Sequence, residues 1–170
     1  MKFSIKKIVY GLLICFMSGA FFQCKKFSDY PVHFYASKGN IEAVLYHLDH
    51  GVDVNMKGDN GDAILHEVIN GFYDSIEDKT GAEKEALRLE FVEILIDRGA
   101  DVNAPDNQGW TPLYISLMGG KIEIMKLLLD NGADIHAEVE GMSILRSARA
   151  YESIFPDLTP ILEAVEKDRY

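Results

Sequence analysis

Between Asp106 and Ala137 the apolar residues fall into two short runs separated by paired glycines. Thr111 is a good N-cap, and Pro112 follows at the first helical position, where its missing N–H costs nothing. The pattern predicts a helix over Pro112 to Met118, stopped by Gly119 and Gly120. A second helix is predicted over Ile122 to Asp130. It carries Ile124, Met125, Leu128 and Leu129 on one face. Asn131-Gly132 ends it, and Ala133 to Ala137 runs out into a loop. Neither helix can bury its apolar face alone, so the unit needs stacked neighbours.

The unit recurs. Gly99-Ala100-Asp101-Val102-Asn103-Ala104 matches Gly132-Ala133-Asp134-Ile135-His136-Ala137 at a spacing of 33 residues. Periodicity alone predicts a stacked α-solenoid. Together with Gly109-Trp110-Thr111-Pro112-Leu113-Tyr114, these loops resemble the ankyrin-repeat family. The resemblance implies an all-α ankyrin-repeat solenoid, helix–turn–helix repeats joined by hairpin loops, and a role in binding proteins.

Four repeats are expected, over about 27–58, 59–104, 106–137 and 138–170. In the first, Tyr30-Pro31-Val32-His33 aligns with Thr111 to Tyr114, Gly39-Asn40 is the turn, and the second helix spans about Ile41 to Asp49. Ala43 and His47 at its core-like positions suit a terminal capping repeat. The second repeat opens with Gly61 and Ala63-Ile64-Leu65-His66. It is 15 residues too long, which places an insertion at about 71–86 between its helices. Thr80 and Glu83 form a capping box, so a lengthened helix should run from Ala82 to Asp97. Its buried stripe is expected to be Leu87, Phe91, Ile94 and Leu95, with Phe72 to Lys79 projecting as a loop or an extra turn. The fourth repeat has a hairpin one residue short, a first helix over Ile144 to Tyr151, and a polar last helix over Pro160 to Lys167.

The first 24 residues stand apart. Lys2, Lys6 and Lys7 precede an apolar run from Ile8 to Phe22, which is short for a membrane span and suited to a signal peptide. Ser18-Gly19-Ala20 offers a cleavage site. Alternatively, Cys24 directly after the run resembles the acylated cysteine of a bacterial lipoprotein, although Phe21-Phe22-Gln23 departs from the usual residues before it. An uncleaved anchor is a third reading. The chain has 2 cysteines, Cys15 and Cys24, so the repeats use neither disulfides nor thiolate metal chemistry. Lipidation at Cys24 is the favoured reading, giving an exported, membrane-anchored protein; a soluble secreted form is the alternative.

Charge narrows the partners. The 170 residues carry a formal charge of −10, and all the acid lies beyond Cys24. So acidic a body is a poor ligand for nucleic acid and favours basic partners. A hydrophobic fraction of 48% supports a packed core.

Candidate chemistry is sparse. His47 and His50 could share a metal but lack a third ligand. Asp53 to Gly58 begins like a calcium loop, but Ile64 stands where a bidentate Glu is required. The repeated Gly-x-Asp-x-Asn is better read as turn chemistry, with Asp and Asn bonding their own backbone. No nucleophile, phosphate-loop or zinc-protease motif appears, so no catalysis, cofactor or metal is expected. In the family, the histidine position of His33 and His66 ties neighbouring loops together; Tyr114 and Arg146 replace it later. The resemblance also places Trp110, with Asp29, Asp62 and Met142 at equivalent positions, on the concave partner-binding face. Ser37, Asn70, Met118 and Ala150 form a second row. The bland alternative packs Trp110 between hairpins. The expected patch is Trp110, Met118, Met142 and Tyr151, rimmed by Asp59, Asp62 and Asn107. The function expected is a monomeric protein-interaction module. The alternative is an immunity- or chaperone-like protein that neutralises a basic partner.

Overall fold

The computed structural model describes residues 31–71 and 79–168. The expectations for Met1 to Cys24, Asp29, Tyr30 and Phe72 to Asp78 lie outside them. The chain divides into two units, Met1–Pro31 and Val32–Tyr170, and the second carries the repeats.

Among the described residues there are eight helices and one two-stranded ribbon. They are α1 (Val32–Ser37), α2 (Ile41–Asp49), α3 (Ile64–Asn70), α4 (Gly81–Asp97), α5 (Pro112–Met118), α6 (Ile122–Asp130), β1 (Glu138–Val139), β2 (Met142–Ser143), α7 (Ile144–Ala150) and α8 (Leu158–Asp168). Each repeat is a helix pair. The first helices, α1, α3, α5 and α7, pack side by side as one layer. In the other layer, α4 packs on α6 and α6 on α8. The core lies between the layers and includes Ile64, Leu65, Ile69, Phe91, Leu95, Leu113, Leu117, Met125 and Leu128, all fully buried.

Local chemistry sets the helix ends. The Thr111 side chain accepts from the Tyr114 N–H with Pro112 behind it, as the cap pattern predicts. Thr80 and Glu83 form the reciprocal capping box. These bonds hold the exposed Glu83 carboxyl below its ordinary range.

Three expectations need correction. The buried stripe of α4 is Arg88, Phe91, Val92 and Leu95, while Leu87 and Ile94 are only half-buried. This i, i+3, i+4, i+7 set is one helix face, and Arg88 within it donates to the Gly71 carbonyl at the end of α3. The last helix starts at Leu158, not Pro160. Pro160 falls in its first turn, where backbone N–H groups have no partner within the helix. The first helix of the fourth repeat ends at Ala150, with Tyr151 as its C-cap.

The short fourth hairpin has a direct cause. Glu140 and Gly141 take φ of 53° and 75°, closing β1 on β2 in a two-residue turn, with Glu138 opposite Ser143 and Val139 opposite Met142. Positive φ at both central residues marks the turn type that matches the twist of paired strands.

The Gly-x-Asp-x-Asn loops do more than shape themselves. Each Asp bonds its own loop: Asp53 Oδ1 accepts from Asn55 N–H at 2.9 Å and Asp101 Oδ1 from Asn103 N–H at 2.8 Å. Each Asn instead crosses to the next repeat. Asn55 Nδ2 donates to Gly99 O at 3.1 Å, and its Oδ1 accepts from Asp101 N–H at 2.8 Å. Asn103 repeats both bonds, to Gly132 O at 3.1 Å and Asp134 N–H at 2.8 Å. The matching amide thus reads a neighbouring loop, a role the sequence pattern had assigned to the loop itself.

Candidate functional site

The hairpins and first helices assemble the candidate face. Trp110 sits just before the N-cap of α5. Its N–H donates to Asp106 Oδ1 at 2.8 Å, and its carbonyl accepts from Asp106 N–H at 3.0 Å. The same carbonyl meets His66 Nε2 at 3.1 Å, while His66 Nδ1 accepts from Ala63 N–H at 3.1 Å. Accepting at Nδ1 leaves Nε2 as the protonated nitrogen, so it donates to Trp110. His66 therefore ties the second repeat to the third. His33 does not repeat this: both its ring nitrogens are buried and bond to no other group. Burial lowers the pKa of His66 and of His33, against the opposing pull of nearby carboxylates.

The Trp110 ring is half-buried and meets Tyr114 edge-on, with centroids 5.5 Å apart. Its indole nitrogen is buried without a hydrogen bond, so part of the ring serves packing, as the alternative reading holds. Burial also raises the Tyr114 pKa, with smaller pushes from Glu140 and Tyr151, which brings Tyr151 near this pair. Met118, 37% exposed, ends α5, just as Ser37, Asn70 and Ala150 end the other first helices. Trp110 and Met118 line one cleft of about 490 Å³ together with Ile115, Asn70 and the first turns of α4.

The expected rim divides. Asp59 is exposed and Asp62 half-buried. Burial raises the Asp62 pKa, and Asp106 adds to this while His66 and His33 oppose it. Glu67 is raised by burial and by Asp62. Asn107 is committed to the scaffold: its N–H donates to Asn60 O at 3.1 Å and its side chain to Asp59 O at 3.4 Å. The approach is so close that a Cβ on Gly61 would overlap Asn107. Met142 lies in β2, half-buried opposite Val139 and away from the cleft lining.

Sequence reasoning missed the cationic wall of the cleft, Lys84, Arg88 and Lys121. The signal for Arg88 was its place in the i, i+3, i+4, i+7 series; Lys84 and Lys121 gave none. Of the two helix histidines, His50 is occupied locally, its Nδ1 2.7 Å from Tyr46 O, while the His47 ring packs near Tyr35 with centroids 5.7 Å apart and its Nε2 is buried without a hydrogen bond. Among the described residues no group of three or more side chains is placed to hold a metal, and no helix is long and apolar enough to cross a membrane.

The architecture defines a class first: a solenoid of stacked helix pairs whose hairpins and first helices present one face. Its fold is consistent with an ankyrin-repeat solenoid. Residues 82–152 match the family model described as ankyrin repeats, in 3 copies. A stretch of 80 residues is 30% identical to ankyrin repeat-containing protein P1E11.10 of Schizosaccharomyces pombe, covering 47% of this chain and 31% of that protein. Another of 75 residues is 35% identical to putative ankyrin repeat protein FPV234 of fowlpox virus, covering 43% of this chain and 14% of that protein. The matches thus span under a third of either relative's length. Ankyrin repeats in general bind protein partners and are non-catalytic.

Proposed function

We propose that this protein is a non-catalytic interaction module that binds a protein partner through the face centred on Trp110 and Met118. The carrying observation is that half-buried Trp110 and the 37% exposed Met118 line one cleft, with the Asp106 carboxylate bonded to the Trp110 N–H and Asp62 close to Asp106. An apolar centre with a charged rim is the layout of protein-binding patches. The acidic rim favours a partner with basic residues at the hairpin side, bound by a monomer. The test is a photo-crosslinking side chain placed at Met118 or, as control, at Glu90 on α4. Crosslinks to one partner from position 118 and none from 90 support the reading; equal labelling from both removes it.

The same proposal includes export and a lipid anchor at Cys24. Its support is the lysine-led apolar run ending at that cysteine. Cys24→Ser should move the protein from the membrane fraction to the soluble one. If the variant still sediments with membranes and wild type carries no lipid mass, the anchor is not at Cys24.

A further inference from the structure

One buried imidazole joins the second hairpin to the third. His66 is 1% exposed, and both of its ring nitrogens are bonded at 3.1 Å: Nδ1 accepts from the Ala63 N–H and Nε2 donates to the Trp110 carbonyl. Only the neutral ring can make this pair of bonds, since a protonated ring carries a donor on each nitrogen. The added proton would set Nδ1–H against the Ala63 N–H, donor to donor. A rigid ring held on both sides cannot turn away from Ala63 and stay on Trp110. The charges around the ring are few. Burial disfavours its charged form; the Trp110 carbonyl, Asp62, Asp106 and the Ala104 carbonyl favour it, and burial wins. From α1, His33 acts on the same Asp62. Glu67, the next residue of α3, has its pKa raised by burial and by Asp62. Among the described residues, α4 and α5 place no charge on the ring.

We propose that His66 is a pH-sensitive latch on the base of the hairpin that presents Trp110, closed while the ring is neutral and released when it takes up a proton. Asn107 holds the tip of the same joint, its N–H on Asn60 O at 3.1 Å and its side chain on Asp59 O at 3.4 Å. Neither of those bonds titrates. Asp106 keeps the third hairpin closed on itself through the Trp110 N–H. Release therefore pivots the base of the hairpin about an attached tip and leaves the helices in place. A released ring meets water and takes its proton near pH 6.5, whereas the closed ring takes it only at lower pH. Opening thus becomes about tenfold more favourable for each pH unit below about 6.5, until the closed ring is itself protonated. His33 holds the same motif position, but its ring nitrogens form no hydrogen bond, so its titration releases no joint. That acid weakens partner binding rests on the function proposed above, in which Trp110 belongs to the binding face.

Trp110 is the only tryptophan in the chain, so its emission reports on this hairpin directly. Acrylamide quenching of the full chain is followed from about pH 7.5 to about pH 5, with helicity recorded at each step. The quenching constant should rise roughly twofold or more across that range while helicity stays constant. His66→Gln should abolish the rise, because a carboxamide offers a donor and an acceptor at every pH. His33→Gln should leave the rise as in wild type. No rise in wild type, a full rise in His66→Gln, loss of the rise in His33→Gln, or a rise that comes only with loss of helicity overturns the latch. Should His66→Gln fail to fold, ring-nitrogen NMR of the wild type decides. The His66 ring and the Trp110 indole N–H should then titrate at one midpoint, and separate midpoints overturn the proposal. None of these measurements needs the partner, so the latch can fail while crosslinking from position 118 succeeds, and the reverse.

Discussion

Where the second repeat meets the third, Asn103, His66 and Asn107 each bond backbone groups across the boundary. Where the third meets the fourth, His136 stands in place of the crossing Asn and Tyr114 in place of the histidine. Between described residues no side-chain hydrogen bond is formed across that second boundary. It is closed instead by apolar packing: Leu128, Ile135, Val139, Ile144, Leu158 and Leu162 are each at most 1% exposed. Phe155 also packs over Gly120, where a Cβ would strike its ring. The contrast separates two ways of stacking the same unit. Directional bonds fix the register of neighbouring loops, while apolar burial supplies cohesion without specifying register.

The largest effect should come from the apolar boundary. Leu128→Ala should lower stability by about 2–5 kcal/mol through lost burial and a residual cavity. Thermal or urea unfolding measures this, and an unchanged midpoint would mean that Leu128 does not close the boundary. The polar boundary should respond more mildly. Asn103→Ala removes two hydrogen bonds and should cost about 1–2 kcal/mol. His136→Ala at the equivalent position should stay within about 0.5 kcal/mol. Equal losses at 103 and 136 would erase the comparison.

Acid titration gives the smallest effect. Burial holds His66 below its ordinary pKa, so the fold favours the neutral ring that the bond to Trp110 uses. The unfolded chain takes up the proton near pH 6.5, so stability should fall as pH drops below about 6.5 toward the folded pKa. His33 contributes in the same direction. Asp62 and Glu67 act oppositely: burial raises their pKa values, so acid relieves the fold once pH nears the carboxylate range. His66→Gln should flatten the decline below about pH 6.5, as read by denaturant midpoints. A decline identical to wild type would show that His66 is not its source.

Much of this was written plainly in the chain. Helices α2, α5 and α6 have the bounds that their caps and glycines predict, because local signals decide those ends. The long α4 was legible from Thr80 and Glu83 for the same reason. What could not be read depends on contacts distant in sequence. Asn55 and Asn103 look like turn residues until the neighbouring loop is in place. His33 matches His66 in motif, yet its ring nitrogens form no hydrogen bond. At the candidate site, Trp110 and Met118 were legible from their places in the repeat and share the cleft. Met142 does not join them, because the tight Glu140-Gly141 turn sets it in β2. The cationic wall was hidden because Lys84 and Arg88 come from the helix that the insertion lengthens.

The central claim concerns Trp110 and is tested by one comparison. The partner captured from position 118 is titrated against wild type and Trp110→Ala, with helicity and melting followed in parallel. The account predicts binding weaker by about 2 kcal/mol or more for Trp110→Ala, with helicity retained. Wild-type affinity in the variant, or loss of its fold, would assign the tryptophan to packing and contradict the binding face.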